Sequence, residues 1–295
     1  MNDSEHTSVL LHESIDSLNL SSGDTFLDCT FGAGGHSRYV CEKYKGIHII
    51  AVDQDQQALD KANMTGCDIK LMSHNFKDLD LALQEAGVKS VNGILFDLGT
   101  SVDQIKSSGR GFTFEKDEPL LMTLQNNDDS VLTAKDILNL WGAETLETVI
   151  RGYGGERYAR RIARAIVEER EEKEITTTFQ LVDIIKRATP GFYHYKRIHP
   201  ATKTFQAIRI AVNDELNALK IGLRKAYDAL APLGRISVIS FHSLEDREAK
   251  RYFRDLEKDG LGTRITKKPI TASTEEINKN PRSRSAKLRI FEKIK

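Results

Sequence analysis

The chain has 295 residues, 39% of them hydrophobic and 29% charged, with 43 Lys+Arg against 43 Asp+Glu. That length buries one large domain or one domain carrying an insertion, and the balanced charge excludes a uniformly cationic coat while leaving room for a local basic groove. Three cysteines, Cys29, Cys41 and Cys67, odd in number and without CxxC spacing, predict neither a disulfide frame nor a metal site. The opening Met1-Asn2-Asp3-Ser4-Glu5-His6 has no leader pattern, so a soluble, reduced, cytoplasmic protein away from membranes is expected.

Through the first hundred residues, short apolar runs alternate with amphipathic stretches. Thr25–Leu27, His48–Val52, Ile69–Met72 and Gly93–Phe96 read as strands, and Gln56–Asn63 and Asp78–Ala86 as helices. This is the rhythm of a parallel α/β sheet, whose ligands sit at the carboxyl ends of the strands. Asp28, Asp53 and Asp97 each fall just after a strand and should face one crevice, with Ser73-His74-Asn75-Phe76 following the third.

The first strand runs into Asp28-Cys29-Thr30-Phe31-Gly32-Ala33-Gly34-Gly35-His36-Ser37. Glycine lacks a Cβ, so this turn can take positive φ and let a ligand lie against bare backbone at a helix N-terminus. Gly32-x-Gly34-x-x-Ser37 is also a near miss to the dinucleotide fingerprint. Asp28 four positions ahead and Asp53 closing the second strand tilt the reading toward S-adenosylmethionine over a nicotinamide cofactor, with Asp53 accepting from ribose hydroxyls. At the end of the fourth strand, Asp97 is the candidate catalytic group. An amine conjugated to a base ring is a poor nucleophile until a hydrogen bond from its N–H localises the lone pair, and Asp97 could accept that bond or hold the cofactor's amine.

From about Lys106 to His199 the strand rhythm stops, and helices are predicted over Ala134–Trp141, Leu146–Ile150, Glu156–Glu172 and Thr178–Ala188. We read 106–199 as an inserted helical substrate-recognition domain, with 1–105 and 200–295 as a discontinuous core. Arg157, Arg160, Arg161 and Arg164 fall at helical spacing, a stripe suited to phosphates or simply to solvent. His199, Lys203 and Arg209 are candidate nucleic-acid contacts, whereas Phe205 and Ile208 read as core. One helix is expected from about Thr202 to Leu230, then Pro232-Leu233-Gly234 as a turn into the strand Arg235–Ser240. His242 follows at the crevice edge, with Ser243-x-x-Asp246 as a capping box. Arg282 and Arg284 sit in a basic, hydroxyl-rich loop suited to phosphate, ahead of a closing strand at Lys287–Phe291.

These blocks together resemble the MraW family of bacterial 16S rRNA methyltransferases. The resemblance runs from His6-Thr7-Ser8-Val9-Leu10-Leu11 through the glycine loop, Gly109-Arg110-Gly111-Phe112, Tyr153-Gly154-Gly155-Glu156-Arg157, His199 to Ile210 and Ser240 to Arg247, to Asn280 to Arg289. It implies a class I, Rossmann-like α/β methyltransferase sheet with an inserted helical domain, S-adenosylmethionine as cofactor, and methyl transfer to N4 of a cytosine in the decoding region. It also implies cofactor contacts at Gly34, Gly35, His36, Asp53, Phe76, Asp97 and Gln104. Phe76 would cover the adenine, and Arg110 joins the RNA candidates. The expected partner is 16S rRNA within the small ribosomal subunit, and a homodimer is compatible with the family. Where the family carries Pro-Leu-Asp-Met-Arg-Met this chain has Pro119-Leu120-Leu121-Met122-Thr123-Leu124, and for Val-Ser-Ser-Pro-Gln it has Thr100-Ser101-Val102-Asp103-Gln104. A non-catalytic rRNA-binding or ribosome-assembly factor on the same fold is the alternative.

Overall fold

A computed structural model describes residues 8–99, 108–125, 131–195 and 197–294. The chain divides into two compact units, residues 1–99 with 216–295, and residues 100–215.

In the first unit, α1 (Leu11–Asp16), β1 (Thr25–Asp28), α2 (Gly35–Lys43), β2 (His48–Asp53), α3 (Gln56–Asp60), β3 (Ile69–Ser73), α4 (Leu79–Ala86) and β4 (Val91–Asp97) follow one another in the alternation that the apolar runs predict. The sheet has seven strands in the order β3-β2-β1-β4-β5-β7-β6, counting β5 (Leu230–Ser240), β6 (Gly262–Arg264) and β7 (Lys287–Lys293) from the end of the chain. The first five are parallel; β7 runs antiparallel to β5, and β6 antiparallel to β7. Side chains alternate across the sheet. Leu27, Ile50, Ile94, Phe96 and Val238 pack on one face against Leu79, Leu83, Leu219 and Phe253. Phe26, Ile49, Leu95 and Ile239 pack on the other against Ile15, Val40 and Ile290. Helices on both faces bury the central strands completely, which is why these strands read as continuous apolar runs.

The second unit holds α5 (Ala134–Leu140), α6 (Ala143–Gly154), α7 (Ala159–Glu172), α8 (Thr178–Ala188), α9 (Gly191–His194) and α10 (Thr202–Val212). Ile137, Ile150, Ile162, Ile166, Leu181 and Ile185 form its core, and Ala201, Phe205, Ile208 and Val212 join them. The division therefore falls after 99 and 215 and takes in α10, which an insert ending at 199 leaves with the sheet. Gly154 lets α6 approach α10 closely, since a Cβ there would meet the Lys203 carbonyl oxygen at 2.3 Å.

The single helix expected over Thr202–Leu230 is broken at Asn213-Asp214, and α11 (Glu215–Ala229) starts afresh. Asp214 is left-handed at φ 46°, and the Asn213 side chain bonds the Met122 carbonyl and the Leu124 N–H instead of continuing a helix face. The expected turn at Pro232-Leu233-Gly234 lies inside β5 as an irregularity, where partners jump from Val91↔Leu230 to Gly93↔Arg235. Leu233 there has φ 63°.

Cys41 and Cys67 form a disulfide, where cysteine count and spacing predict no disulfide frame. Cysteine count and spacing carry no topology. The crossover from α2 to β2 and back through α3 brings the end of α2 beside the segment entering β3, with the two Cα atoms 5.7 Å apart, within bridging range. Cys29 is free and buried.

Candidate active site

The carboxyl ends of β1, β2 and β4 set three acids side by side, Asp28 buried and Asp53 and Asp97 half-buried. Asp28 accepts hydrogen bonds from the Ser37 hydroxyl at 2.7 Å and the Thr30 N–H at 3.1 Å. Asp53 accepts from the Gly32 N–H at 2.8 Å and the Asp55 N–H at 2.9 Å, so it ties the glycine loop to the end of β2. The Asp97 N–H donates to the Thr30 hydroxyl at 2.6 Å. All three carboxyls are pushed up by burial: Asp28 to about 6, Asp53 above its ordinary value, and Asp97 well above it. Desolvation disfavours the charged form, and for Asp97 the neighbouring Asp28 and Glu245 carboxylates add to it.

The loop between β1 and α2 supplies the counter-surface. Gly34 sits at φ 77°, and a Cβ there would lie 2.6 Å from the Phe31 ring. Gly35 opens α2, where a Cβ would meet the Ser8 hydroxyl at 2.1 Å. His36 is buried, with Nε2 3.3 Å from the Val9 carbonyl and Nδ1 3.7 Å from Asp97 Oδ2. A carbonyl can only accept, so the Val9 contact puts a proton on Nε2 and leaves Nδ1 facing Asp97. Phe76 follows β3 and packs edge-on against Phe96 at 5.6 Å. Gly222 on α11 makes the room, since a Cβ there would fall 2.9 Å from the Phe76 ring.

Asp97 Oδ1 is buried and has no hydrogen-bond partner among the described residues. An orphaned acceptor beside two more carboxylates, at the N-terminus of α2, fits a ligand bringing hydroxyl donors and positive charge. S-adenosylmethionine brings both, in its ribose hydroxyls, ammonium and sulfonium. Gln104, the other expected contact, lies outside the described residues.

The description "MraW methylase family" matches this chain over residues 3–294. The chain belongs to that family. The ribosomal RNA small subunit methyltransferase H of Deinococcus deserti is 46% identical over 98% of this chain and 93% of its own length. That of Sulfurihydrogenibium sp. is 45% identical over 98% and 99%. Among solved structures, an rRNA methylase from Streptococcus thermophilus gives a TM-score of 0.46 at 11% identity, covering 96% of this chain and 94% of that one. As an MraW methylase the protein is an enzyme, a methyltransferase that uses S-adenosylmethionine, on an α/β fold with a mostly parallel sheet. No helix among the described residues is long and apolar enough to cross a membrane.

The residues expected to hold RNA fall into two groups. Arg157, Arg160, Arg161, Arg282 and Arg284 are exposed, and Lys203 is half-exposed with its ammonium on the Gly155 carbonyl at 3.0 Å. Others are committed inside the fold. Arg110 is buried beneath Phe112 with its guanidinium toward the Leu124 and Gln125 carbonyls. Arg209 forms a two-pronged pair with Glu215 at 2.8 and 2.9 Å. His199 stacks on Phe114 with ring centroids 4.5 Å apart, and burial holds it below the ordinary histidine range.

His242 is the N-cap of α12 (Ser243–Lys258), and the capping box is His242 with Glu245, one residue ahead of the expected Ser243 and Asp246. The Glu245 carboxylate accepts from the Phe241 and His242 N–H groups, and the Glu245 N–H donates to His242 Nδ1. Asp246 instead pairs with Arg289 and Lys287 on β7, which hold its carboxyl below the usual range despite the opposing effect of burial. Sequence reasoning passed over Thr30, which anchors the Asp97 backbone, and Asp55, the buried N-cap of α3. The acid two residues past a strand, opening a helix, was a readable signal for the second.

Proposed function

We propose that the enzyme transfers a methyl group from S-adenosylmethionine to N4 of a cytosine in the decoding region of 16S rRNA, acting on the small ribosomal subunit. The single observation that carries this reading is Asp97 at the end of β4, half-buried, whose buried Oδ1 has no partner among the described residues. Both curated relatives described above act, by name, on small-subunit ribosomal RNA.

In this reading Gly34, Gly35, His36, Asp53, Phe76 and Asp97 hold the cofactor, which supplies an electrophilic methyl on a cationic sulfur. Asp97 Oδ1 accepts an N–H of the cytosine amine and localises its lone pair. Once methylated, the amine would carry an extra proton, and Asp97 would be the group placed to take it. Burial makes Asp97 a stronger base than a surface carboxylate, and a cation bound nearby favours its ionised form until the proton is taken. The target base leaves its stack to reach such a site.

Small subunits lacking the modification, incubated with labelled S-adenosylmethionine, test the reading. N4-methylcytidine identified by mass spectrometry with the wild type but not with Asp97→Ala is the expected result. A loss of at least a hundredfold in kcat at unchanged RNA affinity is expected for the variant. Binding of cofactor and RNA without any labelled cytidine would overturn it in favour of an assembly factor.

A further inference from the structure

In the second unit, the turn after α6 and the short helix α9 are pinned together by one buried acid. Glu156 is fully buried; it accepts from the Tyr193 hydroxyl at 2.6 Å and from the Tyr158 N–H at 2.8 Å. The Tyr158 and Tyr193 rings meet edge-on at 5.1 Å. The Arg157 guanidinium lies over this cluster, 4.6 Å from the Tyr158 ring, 5.5 Å from Tyr193 and 5.6 Å from Phe192, with Arg161 at 5.9 Å from Tyr158.

Two rings of the α9 segment are open to solvent. Phe192 is 59% exposed and Tyr195 91%. Neither ring belongs to the core of the second unit among the described residues. Arg157, which reaches the Phe192 ring, is exposed, as are Arg160 and Arg161, and none of the three has a carboxylate partner among the described residues. The carboxylates of α7 begin only at Glu168, nearly two turns further along the helix. Two exposed rings three residues apart at α9, the first against the Arg157 guanidinium, form the combination that binds unpaired nucleotides. A base stacks on each ring face, and the phosphates between them meet the guanidinium groups.

We infer that Phe192 and Tyr195, with Arg157 and Arg161 behind them, form a stacking platform for unpaired RNA bases distinct from the base that is methylated. This rests on the rRNA reading above. Stacking explains what a stripe of arginines on α7 alone does not, namely why apolar rings stand in water next to them. The platform adds affinity for single-stranded RNA and takes no part in the transfer step.

The test compares wild type, Phe192→Ala/Tyr195→Ala, and the aromatic exchange Phe192→Tyr/Tyr195→Phe. The readouts are binding to a single-stranded decoding-region transcript at several salt concentrations, methylation of small subunits, and thermal melting. The double alanine is expected to weaken RNA binding at least about thirtyfold, the lower end of the range for two lost stacking contacts. It should raise KM for the subunit at unchanged kcat and unchanged S-adenosylmethionine affinity. The salt dependence should keep its slope, since no phosphate contact is lost, and the aromatic exchange should bind as wild type does. Full RNA affinity in the double alanine, or an aromatic exchange that fails as the alanines do, would overturn the platform while wild-type methylation leaves the rRNA reading standing. A wild type that neither binds nor methylates RNA would remove the reading itself. Loss of a co-purifying protein with RNA affinity intact would mean a protein docks there and would also overturn the proposal.

Discussion

At the residue scale the glycine loop is where backbone chemistry and the ligand site coincide. Gly34 is held at φ 77° between Phe31 and the first turn of α2, and an L side chain in that region costs roughly 1–2 kcal/mol before any clash is counted. The Phe31 ring, 2.6 Å from where a Cβ would stand, is itself buried and cannot easily yield. Gly34→Ala is therefore expected to lose about 2 kcal/mol in urea unfolding and to weaken S-adenosylmethionine binding at least tenfold by calorimetric titration. Gly46 has a comparable φ of 65° but nothing within 4 Å of its Cβ position. Gly46→Ala should show about half that stability loss and unchanged cofactor affinity. Equal cofactor binding by Gly34→Ala and wild type would show that the loop does not depend on this turn. The acids around the loop were legible because each ends an apolar run. Their mutual bonds were not, because Asp53 reaches Gly32 across 21 positions of chain.

At the element scale the strands of the parallel sheet were readable as apolar runs, since burial on both faces leaves no room for polar alternation. β6 was not, because Gly262-Thr263-Arg264 is three residues long and exists by pairing with β7. The break between α10 and α11 was hidden for the same reason: Asn213 is called out of the helix by partners near residue 122. The disulfide is a third case of long-range geometry that spacing does not reveal. It closes a loop of 26 positions from the end of α2 to the entry of β3, and cross-linking such a loop removes unfolded-state entropy worth about 3 kcal/mol. Wild type is expected to lose about that much stability on reduction, whereas Cys41→Ala/Cys67→Ala should unfold identically with and without reductant. Thiol counting after denaturation without reductant should find Cys29 alone. Three reactive thiols in that count would show that the bridge does not form in the protein.

At the scale of the whole molecule, folding concentrates charge where it is costly. Asp28 titrates near 3.8 when unfolded and is raised to about 6 by burial, and Asp53 and Asp97 move in the same direction. Between those two values the native state binds more protons at Asp28 than the unfolded state does, so its contribution to stability is full below about pH 4 and is lost as pH rises through 6. A shift from 3.8 to about 6 corresponds to at most about 3 kcal/mol. Asp28→Asn keeps an acceptor for the Thr30 N–H and a partner for the Ser37 hydroxyl but cannot ionise. The variant should match wild type in urea unfolding near pH 4, pull ahead as pH rises, and level off above about pH 6.5 with a gain of 2–3 kcal/mol. Wild-type cofactor affinity should rise over the same range while the variant's stays flat, because the carboxylate that costs stability is what attracts a cationic ligand. A stability difference that does not change between pH 4 and 7, or one that favours wild type at neutral pH, would mean that Asp28 is better solvated than its burial implies.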